Sequence, residues 1–148
     1  MKVAVLMGSP NDGPKMAPAV EMLERFGIVA DERVMSAHRN PEMVADFAGS
    51  ARENGYVAVI CGAGLAAHLG GVVAAHTTLP VVGVPLSGGG LNGVDALYST
   101  VQMPPGIPVA CVAIDGAKNA AILVAEMIAI TDESMAAKLA EFRAGGAR

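Results

Sequence analysis

The chain has 148 residues, of which 53% are hydrophobic and only 16% charged, and its formal net charge is −4 at pH 7. This length fits one domain with a buried core of its own. The acidic balance excludes the broad basic surface through which proteins bind nucleic acid. No apolar run reaches the length of a membrane span, because Gly, Pro or polar residues interrupt each one.

Short apolar runs alternate with helical segments along the chain, a pattern typical of βαβ units around a parallel sheet. The five predicted strands are, in order, residues 3–7, 28–34, 57–61, 81–84 and 109–114. The predicted helices are residues 14–26, a second that begins at Asn40 as N-cap, then 66–77, 94–102, 119–130 and about 132–144, the last capped by Asp132. Charged residues at 31–33 predict that the second strand lies at an edge of the sheet.

These elements predict an α/β fold with a flavodoxin-like, doubly wound sheet of five parallel strands and helices on both faces. We expect residues 1–148 to form a single domain, since the sequence has no repeats or linkers. The helix over about 132–144 follows the last strand and has no crossover to make, so we expect it to pack on a neighbouring subunit. The surplus of apolar residues likewise predicts a homo-oligomer.

The sequence also predicts the compartment. Residues 1–7 lack the length and cleavage site of a signal peptide. Cys61 and Cys111 both lie in apolar runs, and two cysteines are too few for the disulfide framework of a secreted protein. We therefore expect a cytoplasmic protein with buried, unreactive thiols.

Chemically distinctive residues follow the predicted strands, where an open parallel sheet binds its ligands. Residues 8–12 follow the first strand, 36–39 the second, 62–64 the third and the glycine-rich segment 87–93 the fourth. We expect these four loops to meet at one rim. The segment 88–90 is either a mobile lid or a set of close-approach turns.

Gly8 and Ser9 precede a predicted helix, where backbone N–H groups, a hydroxyl and the helix dipole can bind a phosphate. The segment matches neither the Gly-x-Gly-x-x-Gly nor the Walker pattern. Taken alone, it favours a tight turn with Asp12 as a helix cap, although Asp12 could also accept hydrogen bonds from ribose hydroxyls.

His38 lies in a polar loop rather than on an apolar face, which favours catalysis over a structural role. Arg39 beside it is suited to hold a phosphate through paired, charge-assisted hydrogen bonds. The bare backbone at 62–64 could hold a carboxylate. His68, one turn into the third predicted helix, either faces the site or packs, and the residues alone leave this open. His76 is read as a partner of that helix's C-terminal dipole.

No metal site is expected, because three histidines, two apolar cysteines and scattered carboxylates show no ligand spacing. No Ser or Cys lies in a recognisable nucleophile elbow.

Several motifs occur together in a fixed order: Met7-Gly8-Ser9 with Asp12, Ser36-Ala37-His38-Arg39, Gly62-Ala63-Gly64 with Ala66-Ala67-His68-Leu69, Gly83-Val84-Pro85, Tyr98-Ser99, and Gln102-Met103-Pro104. Together they closely resemble the PurE family, the catalytic subunit of phosphoribosylaminoimidazole carboxylase, or 5-(carboxyamino)imidazole ribonucleotide mutase. The resemblance runs from Val3 to about Phe142.

This resemblance implies a three-layer αβα sandwich assembled as an octamer, with active sites at subunit junctions. It also implies an isomerase of purine (IMP) biosynthesis that converts 5-(carboxyamino)imidazole ribonucleotide to 4-carboxy-5-aminoimidazole ribonucleotide without ATP, biotin, metal or other cofactor. Carried over by position, the phosphate is bound by Ser9, Ser36 and Arg39, and the ribose by Asp12. His38 is the general acid and base, and the carboxylate or CO2 pocket is lined by Ala63, Gly64 and His68, with Leu69 beside them.

Two alternatives remain. The family also contains carboxylases that use CO2 and aminoimidazole ribonucleotide directly, in which the residue after the catalytic histidine tends to be lysine and the Gly-Ala-Gly stretch differs. Arg39 and His68 therefore favour the mutase. A non-enzymatic flavodoxin-like module that binds a nucleotide or flavin would explain the fold and the glycine loops, but not the joint placement of His38, Arg39 and His68.

Overall fold

The computed structural model describes residues 1–147, and its centre is one parallel sheet with strand order β2-β1-β3-β4-β5. The strands are β1 Lys2–Met7, β2 Val29–Val34, β3 Tyr56–Gly64, β4 Val81–Leu86 and β5 Ala110–Cys111. The helices are α1 Gly13–Arg25, α2 Pro41–Ser50, α3 Leu69–His76, α4 Val94–Val101, α5 Ala117–Ala129 and α6 Glu133–Ala144. The predicted flavodoxin-like α/β sandwich is confirmed, and the charged strand β2 lies at an edge as predicted.

The sheet is buried on both faces, as near-continuous apolar strands require. In β1, Val3, Val5 and Met7 face the core formed with α1, α5 and α6. Ala4 and Leu6 face the second core, formed with α2 and α3. Within residues 1–147, no helix is both long and apolar enough to cross a membrane.

The last strand is much shorter than the predicted residues 109–114. The carbonyls of Gly83 and Pro85 both face β5, since they accept from the N–H groups of Val112 and Asp115. Pro85 has no N–H to donate in return, so the regular ladder stops after Gly83. The residues that follow run beside β4 without forming a strand.

The end of β3 also differs from the prediction. Residues 62–64 were expected to form a loop, but they continue the strand, because Ala63 and Gly64 pair with Pro85 and Leu86 of β4. The chain then turns at Leu65, whose φ is +54°. This left-handed turn delays α3 until Leu69 instead of residue 66.

The helix ends agree only partly with their predicted caps. The Asp132 side chain accepts a 3.0 Å hydrogen bond from the Met135 N–H, as a helix cap does, and α6 follows it. Asn40 precedes α2, but its side chain makes no capping hydrogen bond. Helix α5 begins two residues earlier than predicted, at Ala117.

Helix α6 is covered by this chain's own core. Met135, Leu139 and Phe142 are buried, and the Phe142 ring lies 5.6 Å from that of Phe26. The apolar side of α6 therefore does not need a neighbour, and only its outer side is free for the predicted subunit contact.

Candidate active site

Four loops meet at the carboxyl ends of β1 to β4 and enclose a cavity of about 610 Å³. Every residue predicted from the sequence for the site lines this cavity, namely Ser9, Asp12, Ser36, His38, Arg39, Ala63, Gly64, His68 and Leu69. The expectation that the loops converge on one rim is therefore met. The fold does this because all five strands are parallel and end on the same side.

Two histidines from different loops are in direct contact. His38 Nε2 lies 2.8 Å from His68 Nδ1, and the two rings meet edge to face with centroids 4.9 Å apart. Two imidazolium rings would place one N–H donor against another, so this contact requires at least one neutral ring. The pair can thus hold and exchange a proton between its two members.

His68 reaches this position for a reason that the sequence did not reveal. It is the N-cap of α3, not a residue one turn inside a helix, and its N–H donates to the Ala66 carbonyl over 2.8 Å. The turn at Leu65 directs the chain so that His68 faces the cavity before the helix begins. The alternative that His68 packs inside the protein is ruled out, since His68 is exposed.

Backbone groups are available beside the histidine pair. Strand β1 ends at Met7, opposite Gly62, so Ala63 and Gly64 extend past it. Their edge on the β1 side is left without a strand partner, at the wall of the cavity. Bare backbone at that point can approach a carboxylate closely.

In the β1–α1 loop, in contrast, the backbone amides are already hydrogen-bonded within the protein. Gly8 N–H donates to the Gly62 carbonyl, and Ser9 N–H donates to Asp12 Oδ2 over 3.0 Å. Asn11 N–H donates to Ser9 Oγ over 3.2 Å. The alternative of a phosphate site with free Gly8 and Ser9 N–H groups is therefore wrong, because β3 uses the Gly8 N–H and the reciprocal cap of a short 3-10 turn uses the Ser9 N–H.

Asp12 thus closes a tight turn, as the simpler interpretation of this segment predicted, but its side chain makes no capping hydrogen bond to α1. It also lines the cavity. Its partial burial raises the pKa of the carboxyl, although the Ser9 N–H and the charge of Lys15 act in the opposite direction. One carboxylate oxygen is engaged by Ser9, and the other has no protein hydrogen bond within residues 1–147.

The β2–α2 loop presents hydroxyl and guanidinium groups. Ser36 Oγ accepts from the Arg39 N–H over 3.3 Å, which leaves its O–H free to donate. The Arg39 side chain is exposed and, within the described chain, forms no ion pair with a carboxylate. An unpaired guanidinium at a cavity mouth is suited to an anion.

Sequence reasoning missed the two residues that hold Ser87, in the cavity wall that follows β4. Ser87 lines the cavity and is bound by Lys15 of α1 and by Asp115 after β5. The sequence showed an acidic residue after the last strand and a lysine near the start of the first helix. Nothing in their spacing, 100 residues apart, indicated that they share Ser87.

Other candidates lie away from the cavity. His76 is the last residue of α3, where it suits the helix dipole as predicted. Cys61 is buried and Cys111 half-buried, and both are free thiols. Within residues 1–147, no group of three His, Cys, Asp or Glu side chains is arranged to hold a metal ion.

Comparisons with known proteins identify the family to which the chain is similar. The family model described as AIR carboxylase matches residues 2–148. The N5-carboxyaminoimidazole ribonucleotide mutase of Vibrio vulnificus is 50% identical over 145 residues, which cover 97% of this chain and 90% of that protein. The mutase of the same name from Saccharolobus solfataricus is 52% identical over 141 residues, or 95% and 89% of the two chains. The crystal structure of Treponema denticola PurE matches with a TM-score of 0.89 at 28% identity, over 99% of this chain and 91% of that one.

Proposed function

The chain belongs to the AIR carboxylase family, and we propose that it is the isomerase that converts N5-carboxyaminoimidazole ribonucleotide to 4-carboxy-5-aminoimidazole ribonucleotide in purine biosynthesis. The observation that carries this proposal is the contact between His38 and His68 in a cavity lined by backbone, hydroxyl and guanidinium groups. The reaction needs a group that first gives a proton to the exocyclic nitrogen and later removes one from ring carbon C4. A histidine pair provides that.

The chemistry divides into two halves. In the first, the bond between the exocyclic nitrogen and the carboxyl carbon breaks, the nitrogen gains a proton and CO2 is released. In the second, ring carbon C4 attacks CO2 and then loses its proton, which restores the aromatic ring. His38 serves both halves as general acid and then general base, because histidine exchanges protons most readily near neutral pH.

His68 supports this exchange from the adjacent wall. Its Nδ1 shares a hydrogen bond with His38 Nε2 and so fixes the His38 ring. With the open backbone edge of Ala63 and Gly64, it lines the pocket for the carboxylate or CO2, and Leu69 closes that pocket.

The ribose phosphate occupies the other end of the cavity. The phosphate is bound by the unpaired Arg39 guanidinium and by the hydroxyls of Ser9 and Ser36, whose hydrogens are free to donate. The free oxygen of Asp12 accepts from the ribose hydroxyls. Because the Gly8 and Ser9 amides already donate to Gly62 and Asp12, side chains rather than backbone carry most of this recognition.

We also propose that residues 1–148 form one catalytic domain of a cytoplasmic homo-octamer. Support for association comes from exposed apolar side chains on α4, where Val94, Tyr98 and Val101 share a face, with Leu91 next to them. The outer side of α6 adds to these contacts. Two free cysteines suit a reducing compartment.

An assay on the purified protein tests the function. N5-carboxyaminoimidazole ribonucleotide should disappear and 4-carboxy-5-aminoimidazole ribonucleotide should appear at an equal rate, without ATP and in the presence of a chelator. A direct carboxylase would instead consume aminoimidazole ribonucleotide in proportion to added bicarbonate. A binding module would convert neither compound. Light scattering on the same sample measures assembly, and a fully active monomer would contradict the octamer.

A further inference from the structure

Ser87 is held from two sides by charged residues that the proposed chemistry does not use. Lys15 Nζ donates to Ser87 Oγ over 2.7 Å and also to the Ser87 carbonyl. The Ser87 N–H donates to Asp115 Oδ1 over 2.9 Å, and its hydroxyl donates to Asp115 Oδ2. Every polar group of Ser87 is therefore engaged by the pair that we call the Lys15–Asp115 clamp.

The clamp joins three separate parts of the sheet's rim. Lys15 lies in the first turn of α1, three residues after Asp12, and its Nζ is 3.9 Å from Asp115 Oδ1. Asp115 follows β5 with a φ of +57°, a conformation that Asp and Asn tolerate better than most residues. Partial burial opposes ionisation of Asp115, but the Ser87 hydrogen bonds and the Lys15 charge together lower the pKa of this carboxyl.

The glycine segment 88–90 depends on this clamp for its position. Gly88 and Gly89 form a wall of the cavity. Residues 89 and 90 begin a turn, and within residues 1–147 no backbone–backbone hydrogen bond ties 88–90 to the rest of the fold. A methyl group added at Gly88 or Gly90 would meet no atom within 4 Å, whereas at Gly89 it would lie 2.5 Å from Leu65 Cδ2.

The turn that follows the glycines also packs near Ser87. At Gly93, an added methyl group would lie 2.8 Å from Ile114 Cγ2 and 3.0 Å from Ser87 Cα. Within residues 1–147, the hydrogen-bonded residues that flank the three glycines are the clamped Ser87 and Leu91, whose carbonyl accepts from the Val94 N–H. Ser87 and the adjoining Gly88 and Gly89 line the same cavity as His38 and His68.

We propose that Lys15 and Asp115 are positioning residues that keep this wall closed, so that CO2 remains beside the aminoimidazole ring until C4 captures it. This inference rests on the proposed function. If CO2 escapes, only the first half of the reaction occurs: the carbamate C–N bond breaks, the nitrogen takes one proton, and aminoimidazole ribonucleotide and CO2 accumulate. No C–C bond forms, and the ring loses no proton. The clamp therefore determines whether a turnover ends in the carboxylated product or in released aminoimidazole ribonucleotide and CO2.

The test measures the ratio of aminoimidazole ribonucleotide released to 4-carboxy-5-aminoimidazole ribonucleotide formed, starting from N5-carboxyaminoimidazole ribonucleotide, with the protein-free rate subtracted. Lys15→Met removes the ammonium and keeps the chain length, and Asp115→Asn keeps a side chain that tolerates the left-handed φ. Each should raise the ratio roughly three- to tenfold, since the lost contacts involve charged but partly exposed groups. The control is Lys118→Ala, which removes a lysine three positions after Asp115 in the sequence that has no hydrogen bond or ion pair in the described residues.

A merely structural role would lower both products together and leave the ratio unchanged. Because both residues act through Ser87, the double variant should raise the ratio no more than the larger single effect. Ser87→Ala, which removes only the hydroxyl, should change the ratio in the same direction. An unchanged ratio in all three single variants, or an equal rise in Lys118→Ala, would overturn the inference while leaving the proposed function intact. A wild-type protein that forms no carboxylated product would overturn both.

Discussion

Replacing His38 by asparagine removes the ring whose Nε2 lies 2.8 Å from His68 Nδ1 and leaves an amide that exchanges no proton near neutral pH. His38 is exposed, and its side-chain hydrogen bond within residues 1–147 is to His68 alone. The substitution should therefore change the free energy of unfolding by no more than about 0.5 kcal/mol, as is usual for surface positions. Its effect falls on the reaction.

General acid–base catalysis typically contributes a factor of about 10² to 10⁴, which corresponds to about 2.7 to 5.4 kcal/mol of activation free energy. We expect kcat of His38→Asn to fall by that factor, because both halves of the reaction need the proton. Binding of the ribonucleotide should be nearly unchanged, since the phosphate and ribose contacts are made by other side chains. The measurement is kcat and KM from product formation, with thermal unfolding as the check on folding.

His68→Asn provides the comparison. If His68 fixes the His38 ring, it should lower kcat less than His38→Asn does, and it should add little in the double variant. Near-normal turnover by His38→Asn would refute the assignment of the acid and base. So would a loss of proton transfer that occurs with His68→Asn alone.

Three further substitutions test separate parts of the structure. Arg39→Ala should weaken ribonucleotide binding by about 1.5 to 3 kcal/mol in calorimetry, because it removes a charge-assisted contact, and an unchanged affinity would place the phosphate elsewhere. Gly83→Ala should destabilise the fold by about 1 to 3 kcal/mol in urea, since its methyl group would lie 2.3 Å from Thr100 Cγ2, whereas Gly90→Ala, with open space around it, should not. Asp31→Asn should flatten the loss of stability in acid. Partial burial alone would raise the pKa of Asp31, but the hydrogen bonds from Tyr56 and Arg33 and the positive charges of Arg33 and Lys2 lower it. The stabilisation from Asp31 is therefore present above the unfolded value of about 3.9 and is lost as the pH falls through the lower folded value; an equal slope of stability against pH below about 5 in the variant would contradict this.

The order of strands and helices could be predicted because their apolar patterns are local. Short runs rich in Val and Ile specify buried strands, and the charges at 31–33 specify an edge. The convergence of the loops followed from the same pattern, since parallel strands bring all their carboxyl ends to one rim. No side-chain geometry was needed for that step.

The differences from the sequence-based prediction come from contacts between distant segments. The length of β5 depends on whether the backbone of Pro85, which lacks an N–H, faces β5 or β3. The start of α3 depends on the left-handed turn at Leu65. The amides of Gly8 and Ser9 were one possible phosphate site, but the Gly62 carbonyl and the Asp12 carboxylate accept their hydrogen bonds. Lys15 and Asp115 meet only in three dimensions. A one-dimensional pattern contains none of this information.

Cys61 lies in the middle of β3, only 2% exposed, and its burial raises the pKa of the thiol far above the ordinary value. A thiol-specific reagent can therefore modify it only when the central strand opens, whereas half-buried Cys111 at the far edge is modified more readily. The rate at which Cys61 becomes labelled, after Cys111, therefore reports how often the sheet opens, and mass spectrometry measures it as the appearance of a second label. Because β3 ends in Ala63 and Gly64, a bound ribonucleotide should slow that second label in proportion to its occupancy, which measures binding without any turnover.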